Sequence, residues 1–293
     1  MINPAAAGAN GDAMVSINSR NQWIGYEGAP NTQLLSTELR MNHLKGKSRR
    51  RGSVFNGRLS RKGQSKVGLG AGLYTDVNGR IRNTGLQLTY AYHLPFRYFQ
   101  LSMGLTFTGS QTRIDVQPED LVDALDPLIA GKKNFFSPDF NVGIYLSSSN
   151  YYVGVSAIRL FQSYFKLGDD SGDNFRLLRQ YYFMGGYRFR VNSLFNIEPS
   201  ILFTGKENKR IALDVNVKGY YRENYWLGLS YRTTGAMVVM VGGRMANYHF
   251  GYAFDYLFTD ISQVSKNGSH ELVLGMTFGA SKTKRRYKMN RRF

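Results

Sequence analysis

The sequence predicts an all-β fold, a transmembrane outer-membrane β-barrel of about fourteen antiparallel strands with short periplasmic turns and longer extracellular loops. Three observations predict it. The first is period two. Residues 211–218 place Ile211, Leu213, Val215 and Val217 opposite Ala212, Asp214, Asn216 and Lys218. Residues 250–256 set Phe250, Tyr252, Phe254 and Tyr256 against Gly251, Ala253 and Asp255. In a strand the two sets face opposite sides of the sheet. The second is length: several runs reach about ten residues, longer than the usual five or six and enough for a tilted strand to cross a bilayer. The third is an alternation of very short and long connections. A soluble sandwich would share the periodicity. An apolar face rich in Tyr and Phe over nearly every run favours the barrel, because aromatics gather at the two membrane interfaces.

The runs fall near 12–20, 33–42, 66–75, 83–94, 97–109, 138–147, 151–161, 178–190, 194–205, 209–219, 222–233, 236–244, 248–258 and 270–280. Ser147–Asn150, Val191–Ser193, Tyr221–Asn224 and Ala246–Tyr248 are tight turns; residues 110–137, 162–177 and 259–269 are long loops. With an even strand count the tight turns share one end and the long loops the other. Parity also places segment 43–66 and both chain ends with the tight turns. The stretch "NQWIGYEGAPNT" (21–32) becomes the first hairpin, at the long-loop face, where Gly28 permits a positive φ and Pro30 stiffens the return. Trp23 and Tyr26 in it are candidate interface or partner-contact aromatics.

Composition narrows the chemistry. The 293 residues contain no cysteine, which excludes disulfides, thiolate metal sites and a cysteine nucleophile. The four histidines are scattered and form no metal-ligand pair. No run of 18 apolar residues exists, so no transmembrane helix is expected. The opening "MINPAAAGANG" lacks a basic n-region and an apolar h-region, so either the protein is cytoplasmic or the sequence starts after cleavage of a signal peptide. The net charge of +18 is concentrated. Residues 43–66 carry nine basic residues and no acid, among them Arg49, Arg50, Arg51, Arg58 and Arg61. Residues 282–293 carry seven and no acid, among them Lys282, Lys284, Arg285, Arg286, Arg291 and Arg292. The expected organisation is one barrel domain over 1–281 with a basic insertion, followed by a basic tail. Both basic segments are candidate docking sites for a periplasmic partner, and anionic lipid is the plainer alternative. Nucleic acid is not expected, because no aromatic stacking platform accompanies the charge.

The polar faces supply the remaining candidates. Arg188, Glu198, Asp214, Lys218 and Asp255 point inward and suit an ion-pair network that fills the lumen, or a charged channel lining. Gly68, Gly70 and Gly72 alternate with apolar residues inside a strand, so they form a lumen face without side chains, with room for an N-terminal segment or a partner peptide to pack. Ser269, His270 and Glu271 are neighbours on one strand, so His270 points away from the other two and no catalytic triad forms. No cofactor site and no enzymatic activity are expected.

A string of blocks carries a resemblance. "NPAAAG" (3–8) and "RNQWIGYEGAPNT" (20–32) are followed by "KVGLGAGLYTDVNGRI" (66–81) and "PDFNVGIYLSSSNYYVGVSAIRLF" (138–161). After them come "NIEPSILFTG" (196–205), "YWLGLSYRTTGAM" (225–237) and "GYAFDYLFTDISQVSKNGSHELVLG" (251–275). In this order they resemble the PorP/SprF-like outer-membrane proteins of Bacteroidetes. The resemblance implies a non-enzymatic barrel in the cell outer membrane, associated with type IX secretion and gliding motility. Its implied partners are the periplasmic lipoprotein ring of that machinery or the C-terminal domain of a large secreted adhesin. A porin-like barrel for small solutes is the alternative.

Overall fold

The structure is a computed structural model that describes residues 1–41, 66–116, 131–161, 164–166, 174–176, 178–207, 211–258 and 267–278. Fourteen antiparallel strands close into a barrel. They are β1 (Ala13–Asn21), β2 (Asn31–Arg40), β3 (Val67–Asn78), β4 (Ile81–Pro95), β5 (Gln100–Val116), β6 (Gly131–Ser147) and β7 (Tyr151–Ile158) on one side. The other side is β10 (Gln180–Tyr187), β12 (Phe195–Lys206), β13 (Ala212–Tyr221), β14 (Tyr225–Arg232), β15 (Ala236–Met245), β16 (Tyr248–Leu257) and β17 (Ser269–Phe278). Two closures complete the ring, β1 with β17 and β10 with both β7 and β12. Among the described residues β8 (Tyr164–Lys166) and β9 (Asn174–Arg176) form a separate two-stranded antiparallel sheet.

The two faces of the wall follow from period two. Outward positions are exposed and apolar: Ile17, Leu35, Leu73, Leu88, Leu105, Ile144, Val155, Val217, Leu229, Val241 and Leu274. Inward positions are polar or small: Ser16, Glu38, Gly70, Thr89, Thr106, Asn141, Ser156, Ser230 and Asp255. An exposed apolar belt around a polar interior is the inverse of a soluble domain and matches a wall facing lipid. Outward aromatics collect toward the tight-turn end, with Tyr92, Tyr151, Tyr187, Phe195, Tyr221, Tyr225 and Tyr248, and again toward the other with Tyr181, Tyr231 and Tyr256.

The wall is uneven in height. β5 and β6 run 17 residues each, whereas β7, β10 and β14 run eight. The span 110–137, expected to be loop, is therefore strand over 110–116 and 131–137. Its residues there, such as Ser110, Gln111, Thr112 and Arg113, are polar on both faces, so the ladder outlasts the apolar alternation that marks it in sequence. Pro138 is tolerated within β6 because it lies beyond Val142↔Ala157, where the β6–β7 ladder ends, so its missing N–H costs that ladder no bond. β10 resumes after Arg188 as the two-residue β11 (Phe189–Arg190) in unbroken register with β12. Pro199, at the level of that gap, contributes no N–H to the ladder. Span 162–177, also expected as loop, holds β8 and β9, and β17 already begins at Ser269. The basic residues Arg49, Arg50, Arg51, Arg58 and Arg61, and the tail with Lys282, Lys284, Arg285, Arg286, Arg291 and Arg292, lie outside the described residues.

The turn between β13 and β14 holds Arg222 and Glu223 both at positive φ, 51° and 59°, closed by Asn224 N–H donating to Tyr221 O. That is the twist-matched hairpin geometry usually given to Asn-Gly. A side chain at positive φ costs about 1–2 kcal/mol, part of which glycine returns as chain entropy. Glu223→Gly should therefore raise unfolding stability by about 0.5–1 kcal/mol, measured by urea titration of the barrel in detergent.

Candidate functional site

A barrel of fourteen strands is too wide for its own side chains to fill, since eight strands already reach that limit. The filler here is the chain itself. Residues 1–11 enter the lumen at the tight-turn end and lie against β2 to β7. A short 3-10 turn, Pro4–Ala6, begins at Asn3, whose side chain accepts from Ala5 N–H at 2.9 Å. Asn3 Nδ2 then donates to the carbonyls of Ile144 (3.0 Å) and Val155 (3.2 Å), tying the segment to β6 and β7. Ser156 Oγ donates to Ile2 O at 2.7 Å. Further along, Gly8 N–H donates to Glu38 Oε2 at 2.8 Å. His93 Nε2 donates to Ala7 O at 3.0 Å, and its Nδ1 accepts from Ser102 Oγ at 2.8 Å. Arg40 reaches Ala9 O (3.4 Å) and Gln100 Oε1 (3.1 Å). Ala5 and Ala7 are fully buried, as are His93 and Ser102.

Glycines in the wall make the room. A Cβ on Gly68 would stand 2.3 Å from Ala7 O, one on Gly104 2.3 Å from Ala5 N, and one on Gly143 2.2 Å from Asn3 Oδ1. Gly154 would meet Asn3 Nδ2 at 2.9 Å. The glycine lane thus crosses four strands under one peptide segment, a close backbone approach that only residues without side chains permit.

The opposite wall fills the same level with side chains. Arg188 donates to Glu198 Oε2 through Nε at 2.8 Å, with its Nη2 2.6 Å from the same oxygen. Lys218 stands opposite Glu198 in the β12–β13 ladder. The Arg188 guanidinium lies 4.2 Å from the Tyr220 ring centre and the Lys218 ammonium 5.2 Å from that of Trp226. Glu198, Lys218, Tyr220 and Trp226 are all buried. Tyr145 and Tyr152, with ring centres 6.0 Å apart, join this group to the Asn3 side. The tight-turn half of the lumen is thereby packed from both walls.

The long-loop half is wetter. Asp214 and Asp255 belong there to a chain of ion pairs along the wall. Glu271 meets Arg20 (3.5 Å), Arg20 meets Asp255 (3.3 Å), Asp255 meets Arg232 (3.5 Å), and Arg232 meets Asp214 (3.1 Å). Arg20, Arg232 and Glu271 keep about 30% exposure, so this chain is solvated lining more than sealed core. Arg20 and Glu271 were not evident as members from sequence, since β1 and β17 meet only when the barrel closes. Glu38, Arg40 and His93 were missed as anchors of the segment for the same reason, although the inward parity of Glu38 and Arg40 was legible.

The first hairpin braces the long-loop rim. Trp23, at φ 48°, donates its N–H to Ser269 Oγ (3.2 Å), and Ile24 N–H reaches Gly268 O (3.0 Å). On the other flank Gly79 N–H donates to Gly28 O (2.9 Å), with Gly28 at φ 72°. Tyr26 stays half exposed. His270 bonds Tyr252 on the outer face at 2.6 Å, while Glu271 accepts from Asn18 inside the lumen at 2.6 Å.

A family model described as the type IX secretion system membrane protein PorP/SprF matches residues 1–276. The chain belongs to the PorP/SprF family. The match begins at residue 1, so the segment that fills the lumen lies inside the family's own span. Among curated proteins none matches. Solved structures similar to this PorP/SprF barrel include CdiB from Acinetobacter baumannii, at 6% identity and a TM-score of 0.47, covering 91% of this chain and 60% of that one. The Pseudomonas putida toluene transporter TodX is similar at 10% identity and TM-score 0.46, covering 94% and 90%. The NanC porin is similar at 10% and 0.40, covering 94% and 100%. The chain thus spans 60% of the length of CdiB. At these identities the likeness is one of architecture.

Proposed function

We propose that this PorP/SprF barrel is a non-enzymatic outer-membrane component of the type IX secretion and gliding machinery that anchors or couples a protein partner. The partner is either the C-terminal domain of a secreted adhesin or the periplasmic lipoprotein ring. In this reading the tight turns face the periplasm and the long loops the exterior, as in bacterial outer-membrane barrels. The observation that carries it is segment 1–11. A solute channel needs a continuous wet path, whereas here residues 3–9 and the Arg188–Glu198–Lys218 group occupy the tight-turn half of the lumen. A scaffold needs a rigid, closed body and supplies its partner contacts from rims and tails. The test is purification of the intact protein in mild detergent followed by mass spectrometry, beside planar-bilayer recording of the same preparation. A retained larger partner and a silent bilayer are expected. Steady conductance with no retained partner would overturn the reading in favour of the porin-like alternative.

The basic tail provides a second expected result. Charges clustered in a terminal segment mainly speed encounter with an acidic surface and are screened by salt. Removing residues 282–293 should weaken capture of the periplasmic partner in pull-downs at low and physiological salt and flatten its salt dependence. Unchanged capture at both would exclude docking through Lys282, Lys284, Arg285, Arg286, Arg291 and Arg292.

A further inference from the structure

The outward face of the tall β4–β5–β6 wall is layered. Leu88, Phe107 and Phe140 form one level, followed toward the long loops by Leu86, Gly109 and Pro138, then Thr84, Gln111 and Phe136, then Arg82, Arg113 and Asn134. Apolar levels give way to a polar one and then to two arginines. Arg82 and Arg113 are directly opposed in the ladder, and both are exposed. Like charges at that spacing destabilise a strand pair. Arg113 Nε donates to Asn134 Oδ1 at 3.1 Å, which anchors the guanidinium on the outward face. Asp115 sits two residues above Arg113, beyond this level, and has contacts of its own. On β3 the residue opposite Arg82 is Val77, so no carboxylate flanks the pair from that side. Phe136, 72% exposed, lies one level below, between the arginines and the apolar belt.

From this placement we infer that Arg82 and Arg113 form a binding site for the phosphate of a phosphorylated glycolipid in the outer leaflet. Two guanidinium groups side by side suit one phosphate dianion, each giving paired N–H donors, and the bound anion removes their mutual repulsion. Tyr92, at the tight-turn girdle, and Arg82 are ten residues apart on one strand, about 25 Å of height at barrel tilt. That is the thickness of the apolar band, so the pair stands where headgroup phosphates begin. Phe136 would lie against the sugar or the first acyl carbons. The inference rests on the proposed orientation, with long loops outward.

The test uses the full chain purified from its own membranes and freed of lipid, together with Arg82→Gln/Arg113→Gln and Arg82→Lys/Arg113→Lys variants. Folding is checked by heat-modifiable gel mobility. Vesicles carry diphosphorylated lipid A, dephosphorylated lipid A or phosphatidylglycerol. The parent should bind the diphosphorylated glycolipid about tenfold tighter than the dephosphorylated one, and the Gln variant should lose that preference while remaining folded. The Lys variant should keep part of it. Inorganic phosphate at millimolar level should not displace the lipid. Equal binding by parent and Gln variant overturns the inference. Full displacement by inorganic phosphate overturns it too, as a free-ion site. A Gln-sensitive preference for phosphatidylglycerol overturns it through the orientation, while the partner-retention experiment above stands independently.

Discussion

Replacing Gly104 by valine should drive residues 1–11 from the lumen and open the barrel to ions. The Cβ of any side chain at 104 would fall 2.3 Å from Ala5 N and from Pro4 C, and 2.6 Å from Ala5 Cα. These are backbone atoms, so no rotamer change relieves the clash. The segment must lift, and the bonds from Asn3 to Ile144 O and Val155 O, 3.0 and 3.2 Å long, go with it. The fourteen-strand ladder itself is untouched, because position 104 points inward and its pairing with Ala91 and Gly143 is through backbone. The cost to the barrel should therefore be that of local overpacking, about 1–3 kcal/mol, and not loss of fold. Two measurements read the result. The chain has no cysteine, so Ala6→Cys supplies one thiol in the segment. In the otherwise unchanged barrel a bulky maleimide-polyethylene glycol should label it slowly; with Gly104→Val it should label at the rate of the unfolded chain. In bilayers the parent should be silent and the variant conductive. A conductive parent would mean that the segment does not close the path, and a silent, label-protected variant would mean that it does not leave.

Most of the wall was legible in the sequence because membrane strands carry their signal locally. Leu272, Leu274 and Met276 against Val273, Gly275 and Thr277 is a one-strand pattern, and the pleat alone assigns its faces. The same holds for Gly68, Gly70 and Gly72, whose spacing places a bare lane inside the lumen. What filled that lane was legible only as a choice between an N-terminal segment and a partner peptide. Asn3, Ala7 and Gly8 carry no period and no charge, and their partners Ile144, His93 and Glu38 lie 30 to 141 residues away. Strand ends were the weaker part for a related reason. Toward the long-loop end β5 carries polar residues on both faces, so Ser110–Arg113 keep their ladder with β6 without an apolar alternation to mark it. The ion-pair chain was half visible: Asp214 and Asp255 announce inward carboxylates, but Arg20 joins Asp255 only because β1 pairs with β17 at the closure.

The second large effect belongs to Glu198. Its Oε2 takes both the 2.8 Å and the 2.6 Å approach of Arg188, and it is 3% exposed. Lys218 opposite it is 5% exposed. Two cations therefore share one carboxylate in a site nearly without water. Glu198→Ala removes the carboxylate that both cations face and leaves aromatic faces beside them, Tyr220 at Arg188 and Trp226 at Lys218. Cation–π attraction offsets part of that, about 0.5–2 kcal/mol. Breaking a buried pair by deleting one partner costs about 3–5 kcal/mol, so the net loss should sit at the lower end of that range. Urea unfolding in detergent micelles should show it as a shifted midpoint with unchanged slope. Arg188→Met/Glu198→Met/Lys218→Met should recover most of the loss, since removing all charges together also removes their desolvation. By contrast Asp214→Asn, in the wetter ion-pair chain, should change stability by about 1 kcal/mol or less. If Glu198→Ala cost no more than Asp214→Asn, the tight-turn half of the lumen would have to be wet. The closure assigned to residues 1–11 and this triad would fail with it.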